Sequence, residues 1–311
     1  MAVNLKGKSL LTLKDFSREE LEQFLFQSEK LKIEHMSGKN EPLLTGRTIA
    51  VIFEKPSTRT RVSFAAAINE LGAFPLVLET TNMQLNRGET VPDTARVMGR
   101  YVQGIVARVF AQKTLEDMRD YSGVPVVNAL SDYSHPCQIM GDLLTIKEKK
   151  GHLEGLKFAY LGDGNNVANS ILFGGAKFGM HVSVASPEGF EPKKEIIDES
   201  KKFAEESRGS ISITNNPEEA VKDADIIYTD VWASMGQEAE HEKRVKIMMP
   251  YQINDRILEF AKKDVIVMHC LPAHRGEEIT DSVIDGPHSV VFDQAENRLH
   301  AQKGILSLLV R

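Results

Sequence analysis

Two cysteines in 311 residues leave no disulfide framework. The expected compartment is therefore the cytoplasm, where thiols stay reduced. No apolar run approaches the roughly 18 residues needed to span a bilayer. The first stretch, MAVNLKGKSLLTLKDFSREE, has neither a long apolar region nor a small-residue cleavage site, so no signal peptide is expected. Positive charge is in deficit: 38 Lys and Arg stand against 44 Asp and Glu, a net charge of −6. That balance argues against nucleic acid or an anionic membrane as the main partner. Low-complexity sequence and short repeats are missing as well. A nucleophile triad is not evident, which favours direct group transfer over a covalent intermediate. The turn LGDGNN resembles the start of a dinucleotide fingerprint, but Val167, the next residue, sits where the third glycine belongs, so that signal is weak. His135, Cys137, His269, Cys270 and His274 raise the question of zinc. HCLPAH lacks a usual ligand spacing, and Cys137 points away from a site shared by His135 and Gln138, so no metal is expected.

What remains is long enough for two domains. Short β-branched runs alternate with amphipathic helices along the chain, the signature of parallel α/β sheets. In the first half the strands are expected at Thr48 to Phe53, Pro75 to Leu78, Gly104 to Val109 and Val124 to Ala129. A helix capped by Ser17, with Glu20 closing a capping box, precedes them. A longer helix from Pro136 to Lys150 stops at Gly151, and the domain boundary is placed there. The second half has expected strands at Lys157 to Leu161, His181 to Ala185, Ile211 to Thr214, Ile226 to Thr229, Val265 to Met268 and Val290 to Phe292. Among its expected helices is Asn254 to Ala261. The last helix, about 294–311, is expected to join the first domain. The reading is thus two similar α/β domains, 1–150 and 151–293, each a parallel sheet flanked by helices. In such sheets ligands collect at the carboxyl ends of strands, so the site is expected in the cleft between the domains.

The stretch VIFEKPSTRTRVSF, Val51 to Phe64, is the most informative. A buried strand ends at Pro56, hydroxyl caps follow, and a helix opens with Arg59 and Arg61 in its first turn. Cations are disfavoured at the positive end of a helix dipole. They make sense there if an anion joins them, since helix amides and an arginine fork both grip phosphate. The bland alternative is a capped helix with two solvated arginines. Other polar residues gather at the expected strand ends: Arg108; His135 and Gln138 in SDYSHPCQ; Asn165 and Asn166; Asp230 with Ser234 and Met235; His269 and Cys270 in HCLPAHR; Arg298 in DQAENRLH. Arg59, Arg108 and Arg298 suit a small dianion such as phosphate. His135 and Gln138, one helical turn apart, can hold a carbonyl oxygen and an amino group. Asp230, Ser234 and Asn166 suit an amino-acid zwitterion. The residues together describe a transfer from a small phosphorylated acyl compound to an amine.

STRTR, HPCQ, DVWASMG and HCLPAHR together resemble the aspartate/ornithine carbamoyltransferase family, nearly end to end. STRTR and the pattern HPxQ are shared across that family, whereas SMG and HCLP point to its ornithine branch. The resemblance implies carbamoyl transfer from carbamoyl phosphate to the side-chain amine of L-ornithine, giving L-citrulline in arginine metabolism. It implies no cofactor and a homotrimer, with further assembly of trimers open. It makes the first domain the carbamoyl phosphate-binding one and the second the ornithine-binding one. Ser57, Thr58, Arg59 and Thr60 would bind phosphate, and Gln84 would reach a phosphate in the neighbouring subunit. Arg108, His135 and Gln138 would hold the carbamoyl phosphate, along with Cys270, Leu271 and Arg298. Asn166, Asp230, Ser234 and Met235 would hold ornithine. Arg59, Arg108, His135, Asp230 and Cys270 are the expected catalytic set. Three alternatives stay open at this point: transfer to another amine such as putrescine or lysine, a nucleotide-cofactor dehydrogenase built on the paired α/β units, and a catalytically silent binding subunit, which is disfavoured because no motif position is broken. Gly304 replaces a commoner alanine in QKG and is expected to weaken the last helix slightly.

Overall fold

The computed structural model describes residues 3–233 and 241–310, apart from the side chain of Asn86. The chain divides into two compact units, Met1–Leu144 with Asn297–Arg311, and Thr145–Glu296.

In the first unit α1 (Arg18–Met36) carries the expected capping box: Ser17 accepts from the Glu20 amide and the Glu20 side chain accepts from the Ser17 amide. Then come β1 (Thr48–Phe53), α2 (Thr58–Glu70), β2 (Phe74–Glu79), α3 (Val91–Tyr101), β3 (Gly104–Arg108), α4 (Gln112–Ser122) and β4 (Val126–Leu130). The sheet is parallel throughout, in the order β2-β1-β3-β4. Ala50, Ile52, Ile105, Ala107 and Val126 from its strands pack with Leu115 and Met118 of α4. The order reverses direction between β1 and β3. That switch point leaves a crevice at the strand ends, which is where ligands bind in such sheets.

α5 (Pro136–Lys150) leads to the second unit, with β5 (Lys157–Leu161), α6 (Asn166–Lys177), β6 (His181–Ala185), α7 (Lys194–Ser207), β7 (Ser210–Thr214), α8 (Pro217–Val221) and β8 (Ile226–Thr229). α9 (His241–Met248), α10 (Asp255–Leu258), β9 (Ile266–His269), α11 (Asp281–Ile284) and α12 (Val291–Leu309) complete the chain. This sheet is also parallel, in the order β7-β6-β5-β8-β9, and its switch point lies between β5 and β8. The unit boundaries fall inside α5 and α12. Among the described residues no helix is long and apolar enough to cross a membrane.

The strand expected at Val290 to Phe292 is not formed. Pairing is limited to a bridge between Val267 and Ser289, and the Val290 amide donates to Val267 O at 3.0 Å. The Gln294 amide then turns back to Val290 O at 2.9 Å, so α12 begins at Val291. The helix expected over Asn254 to Ala261 contracts to Asp255–Leu258 behind its Asn254 cap.

Gly304 has a packing role that helix propensity does not reveal. A Cβ there would lie 2.2 Å from Ser28 Oγ, 2.9 Å from Ser28 N and 3.0 Å from Phe24 O, so α12 approaches α1 backbone to backbone. Gly304→Ala gains about 1 kcal/mol of helix propensity and loses about 1–3 kcal/mol to overpacking. We expect a net loss of stability, read as a lower urea midpoint. An unchanged or raised midpoint would show that the two helices separate at little cost.

Candidate functional site

Both switch points gather the polar residues. In the first unit, Ser57 caps α2: its Oγ accepts from the Thr60 amide at 3.3 Å and donates to Thr60 Oγ1 at 3.0 Å. The first turn of α2 has no acidic residue. Thr58 and Arg59 are exposed, and Arg59 makes no ion pair or hydrogen bond among the described residues. Arg61 differs from it. It pairs with Glu79 and lies over the Phe53 ring, 5.5 Å from the centroid, which removes it from the anion grip that its place in the sequence invites.

Arg298 comes from α12 and is buried; its Nη2 donates to Thr60 Oγ1 at 3.0 Å. Arg108 ends β3 opposite Phe53 of β1 and is also buried. An irregularity in the pairing of β3 with β4 falls between Ala107 and Arg108, at the end of the strand. His135 is 3% exposed at the start of α5. The Ser134 carbonyl just before it accepts from the Ser131 amide at 2.9 Å and from Asn128 Nδ2 at 3.2 Å, which fixes the turn. Burial, then the positive charges of Arg298 and Arg108, hold the His135 imidazole well below its ordinary pKa. It is therefore neutral at pH 7, an imidazole with a single N–H. Gln138 donates through Nε2 to Asp142 Oδ1 at 2.8 Å. Its Oε1 is buried and meets no donor among the described residues. Cys137 is fully buried, and burial pushes its thiol up to about 12, so it is a packing residue. Gln84 is exposed in a 3₁₀ turn, Gln84–Arg87.

The buried neutral histidine has a consequence for stability. Unfolded His135 protonates near pH 6.5, whereas the folded form resists, so stability is lost as pH falls below that value and is unaffected above it. The loss approaches about 1.4 kcal/mol per pH unit at most. Asp163 works the other way: burial carries its carboxyl up to about 6, against the opposing pull of Arg244 and with a push from Asp230. Its protonation favours the fold between about pH 6 and its unfolded value near 3.9. The stability difference between wild type and His135→Gln isolates the histidine. It should be flat above pH 7 and slope against the wild type below about 6.5; urea titrations from pH 5 to 8 read it. A difference independent of pH would contradict a buried neutral imidazole.

In the second unit Asp230 follows β8 and is buried. Its Oδ1 accepts from the Val231 amide at 2.8 Å and from the Cys270 thiol at 2.9 Å, and its Oδ2 accepts from Asn165 Nδ2 at 2.8 Å. Asn166, expected to bind ornithine, is the first residue of α6, and its neighbour Asn165 holds Asp230. Asn165 also caps α6, with its Oδ1 accepting from the amides of Val167 and Ala168 at 2.9 and 3.1 Å. Cys270 follows β9 and is partly exposed. The next residue, Leu271, has φ +57 and a cis bond to Pro272. A left-handed leucine costs roughly 1–3 kcal/mol and is characteristic of functional loops. His269 is buried behind it. Its Nδ1 accepts from the Leu271 amide at 2.8 Å, so Nε2 carries the proton toward Glu278 Oε1, 3.0 Å away. Ser234 and Met235 lie outside the described residues.

Sequence reasoning missed a pair beside Asp230. Arg244 Nη2 donates to Asp163 Oδ2 at 3.1 Å, and its guanidinium lies over Phe190, 5.0 Å from the ring centroid. Asp163 belongs to LGDGNN, so the motif was visible; its partner on α9 was not.

A family model described as aspartate/ornithine carbamoyltransferase, carbamoyl-P binding domain, matches residues 8–148. A second, the Asp/Orn binding domain of the same family, matches residues 154–309. The chain is 57% identical over 310 residues to an ornithine carbamoyltransferase of Thermococcus kodakarensis, covering 100% of this chain and 98% of that one. It is 55% identical to the anabolic ornithine carbamoyltransferase of Pyrococcus furiosus, over 100% and 98% of the two chains. A solved structure of ornithine carbamoyltransferase from P. furiosus superposes with a TM-score of 0.97 at 55% identity, over 99% of each chain.

Proposed function

The chain belongs to the aspartate/ornithine carbamoyltransferase family, and on that premise we propose that it transfers the carbamoyl group of carbamoyl phosphate to the side-chain amine of L-ornithine. The products are L-citrulline and phosphate. One observation carries the reading: Arg108 and Arg298 stand close enough to the buried His135 to depress its protonation, and Arg298 reaches the Ser57-capped start of α2. Cationic side chains, a neutral N–H donor and an open helix N-terminus at one switch point suit a phosphorylated carbonyl compound.

In this proposal Ser57, Thr58, Arg59, Thr60 and Arg298 take the phosphate. Arg108 and His135 donate to the carbonyl oxygen. The vacant acceptor of Gln138, whose amide is anchored on Asp142, takes the carbamoyl amino group. Asp230, held by Asn165 and Cys270, faces the amine. By family resemblance Asn166, Ser234 and Met235 complete the ornithine site. Cys270 and Leu271 touch the carbamoyl group as it transfers, and Gln84 serves a neighbouring subunit of a homotrimer.

The ornithine amine is mostly protonated at neutral pH, a lysine-like group having a pKa near 10.4. Asp230 and Cys270 orient it and draw off the proton. The free amine attacks the carbamoyl carbon directly, a tetrahedral oxyanion forms under Arg108 and His135, and the C–O bond to phosphate breaks with Arg59 and Arg298 balancing the leaving charge. The anabolic relative supports a role in arginine synthesis, and the scarcity of cysteine supports a cytoplasmic site of action.

The test is an acceptor panel. Protein with carbamoyl phosphate should form citrulline from ornithine much faster than it carbamoylates putrescine or lysine. Preference for either of those amines would overturn the acceptor assignment, and sedimentation should read three chains per particle or a multiple of three.

A further inference from the structure

The second unit carries a group of side chains that the transfer does not use. His241 opens α9, and His274 and Glu277 lie in the loop after β9. Their ligand-capable atoms all fall within 4.8 Å of one another. Glu277 Oε2 is 3.1 Å from His241 Nε2 and 3.5 Å from His274 Nδ1, and the imidazoles meet edge to face with centroids 6.0 Å apart. Tetrahedral zinc with bonds of about 2.0–2.1 Å sets its ligands about 3.3–3.4 Å apart. The two spacings, 3.1 and 3.5 Å, bracket that distance.

The loop is pinned by hydrogen bonds. Gln252 Nε2 donates to the carbonyls of Gly276 and Glu277 at 2.9 and 2.8 Å, and the Glu277 amide donates to His274 O at 2.9 Å. The three side chains keep 35%, 44% and 27% of their surface, so an ion can enter and retain water. A second group within the same distance limit, Asp230, His269 and Cys270, is less suitable. Both ring nitrogens of His269 are already engaged, with Leu271 and Glu278, and both Asp230 oxygens accept protein donors.

We propose that His241, His274 and Glu277 form a binding site for a divalent d-block cation of the zinc type, ligated by two imidazole nitrogens and one carboxylate oxygen. The two imidazoles select such ions over magnesium or calcium. The bound ion ties the first turn of α9 to the loop after β9. His241 and His274 are far apart in sequence, so no ligand spacing announces the site.

Cobalt titration of the whole protein tests this, followed by calorimetry and visible absorption in wild type, Cys270→Ser and the double variant His241→Asn/His274→Asn. Cys270→Ser should keep one tight equivalent, with cobalt d–d bands and no thiolate charge-transfer band. The double variant should bind about 10–100-fold more weakly or worse, with an unchanged metal-free circular dichroism spectrum. Glu277→Gln, which keeps the shape of the loop, should weaken binding too and serves if the double variant fails to fold. Equal affinity in the histidine or glutamine variants, or loss of the equivalent in Cys270→Ser, would overturn the site.

Discussion

Replacing Arg59 with alanine should lower kcat/KM for carbamoyl phosphate by about 10²–10³, or 2.7–4 kcal/mol of transition-state stabilisation, while leaving the melting temperature near that of wild type. The side chain is exposed and has no ion pair or hydrogen bond among the described residues, so its removal breaks nothing in the fold. It stands in the first turn of a helix with no acid beside it, where the dipole works against it unless a negative ligand arrives. An arginine in that position gives little to stability and much to anion binding. Arg61, two residues on, is the internal control. It is spent on Glu79 and Phe53, so Arg61→Ala should cost well under tenfold in turnover. Steady-state rates of both variants against carbamoyl phosphate decide the matter. Equal losses would mean that the helix start, rather than Arg59 itself, carries the effect.

The second large effect is expected at Asp230. Its two oxygens accept from the Cys270 thiol, the Val231 amide and Asn165. Asparagine keeps one carbonyl oxygen and turns a donor toward one of those donors, so the constellation is broken as well as neutralised. Asp230→Asn should lower kcat by about 10²–10⁴, the range for loss of a positioned proton-transfer group. Because the amine reacts only after losing its proton, the variant should also show a kcat/KM profile displaced to higher pH. Cys270→Ser should displace the profile less, since a hydroxyl can still donate to Asp230. A pH profile identical to wild type in either variant would remove that residue from proton loss and leave it a binding role.

Local chemistry made part of this legible in the sequence. The strand, proline, hydroxyl cap and helix at Val51 to Phe64 read directly, because apolar run, breaker and cap are neighbours in the chain. Capping of α1 by Ser17 and Glu20 read for the same reason. The polar residues at strand ends were visible because strand limits follow from β-branched runs. What stayed hidden depends on contacts between remote segments. Nothing near Arg61 announces Glu79 as its partner. The reach of Arg298 to Thr60 joins the two ends of the chain. Asn165 and Asn166 are chemically identical neighbours, and only the geometry of the α6 cap sends the first to Asp230. Gly304 looked like a weak helix residue until Ser28 appeared 2.2 Å from its missing Cβ. Val290 to Phe292 has strand composition, yet the single bridge to the sheet falls at Ser289, just before it.

The measurement that bears most directly on the proposed transfer is a simultaneous count of phosphate and citrulline after mixing enzyme with carbamoyl phosphate, with and without ornithine. With ornithine the two products should appear in equal amounts from the first turnover. Without it, phosphate should form only at the rate of spontaneous hydrolysis. A burst of phosphate equal to the enzyme concentration before any amine is added, or steady phosphate release unmatched by citrulline, would contradict direct attack of the amine on carbamoyl phosphate.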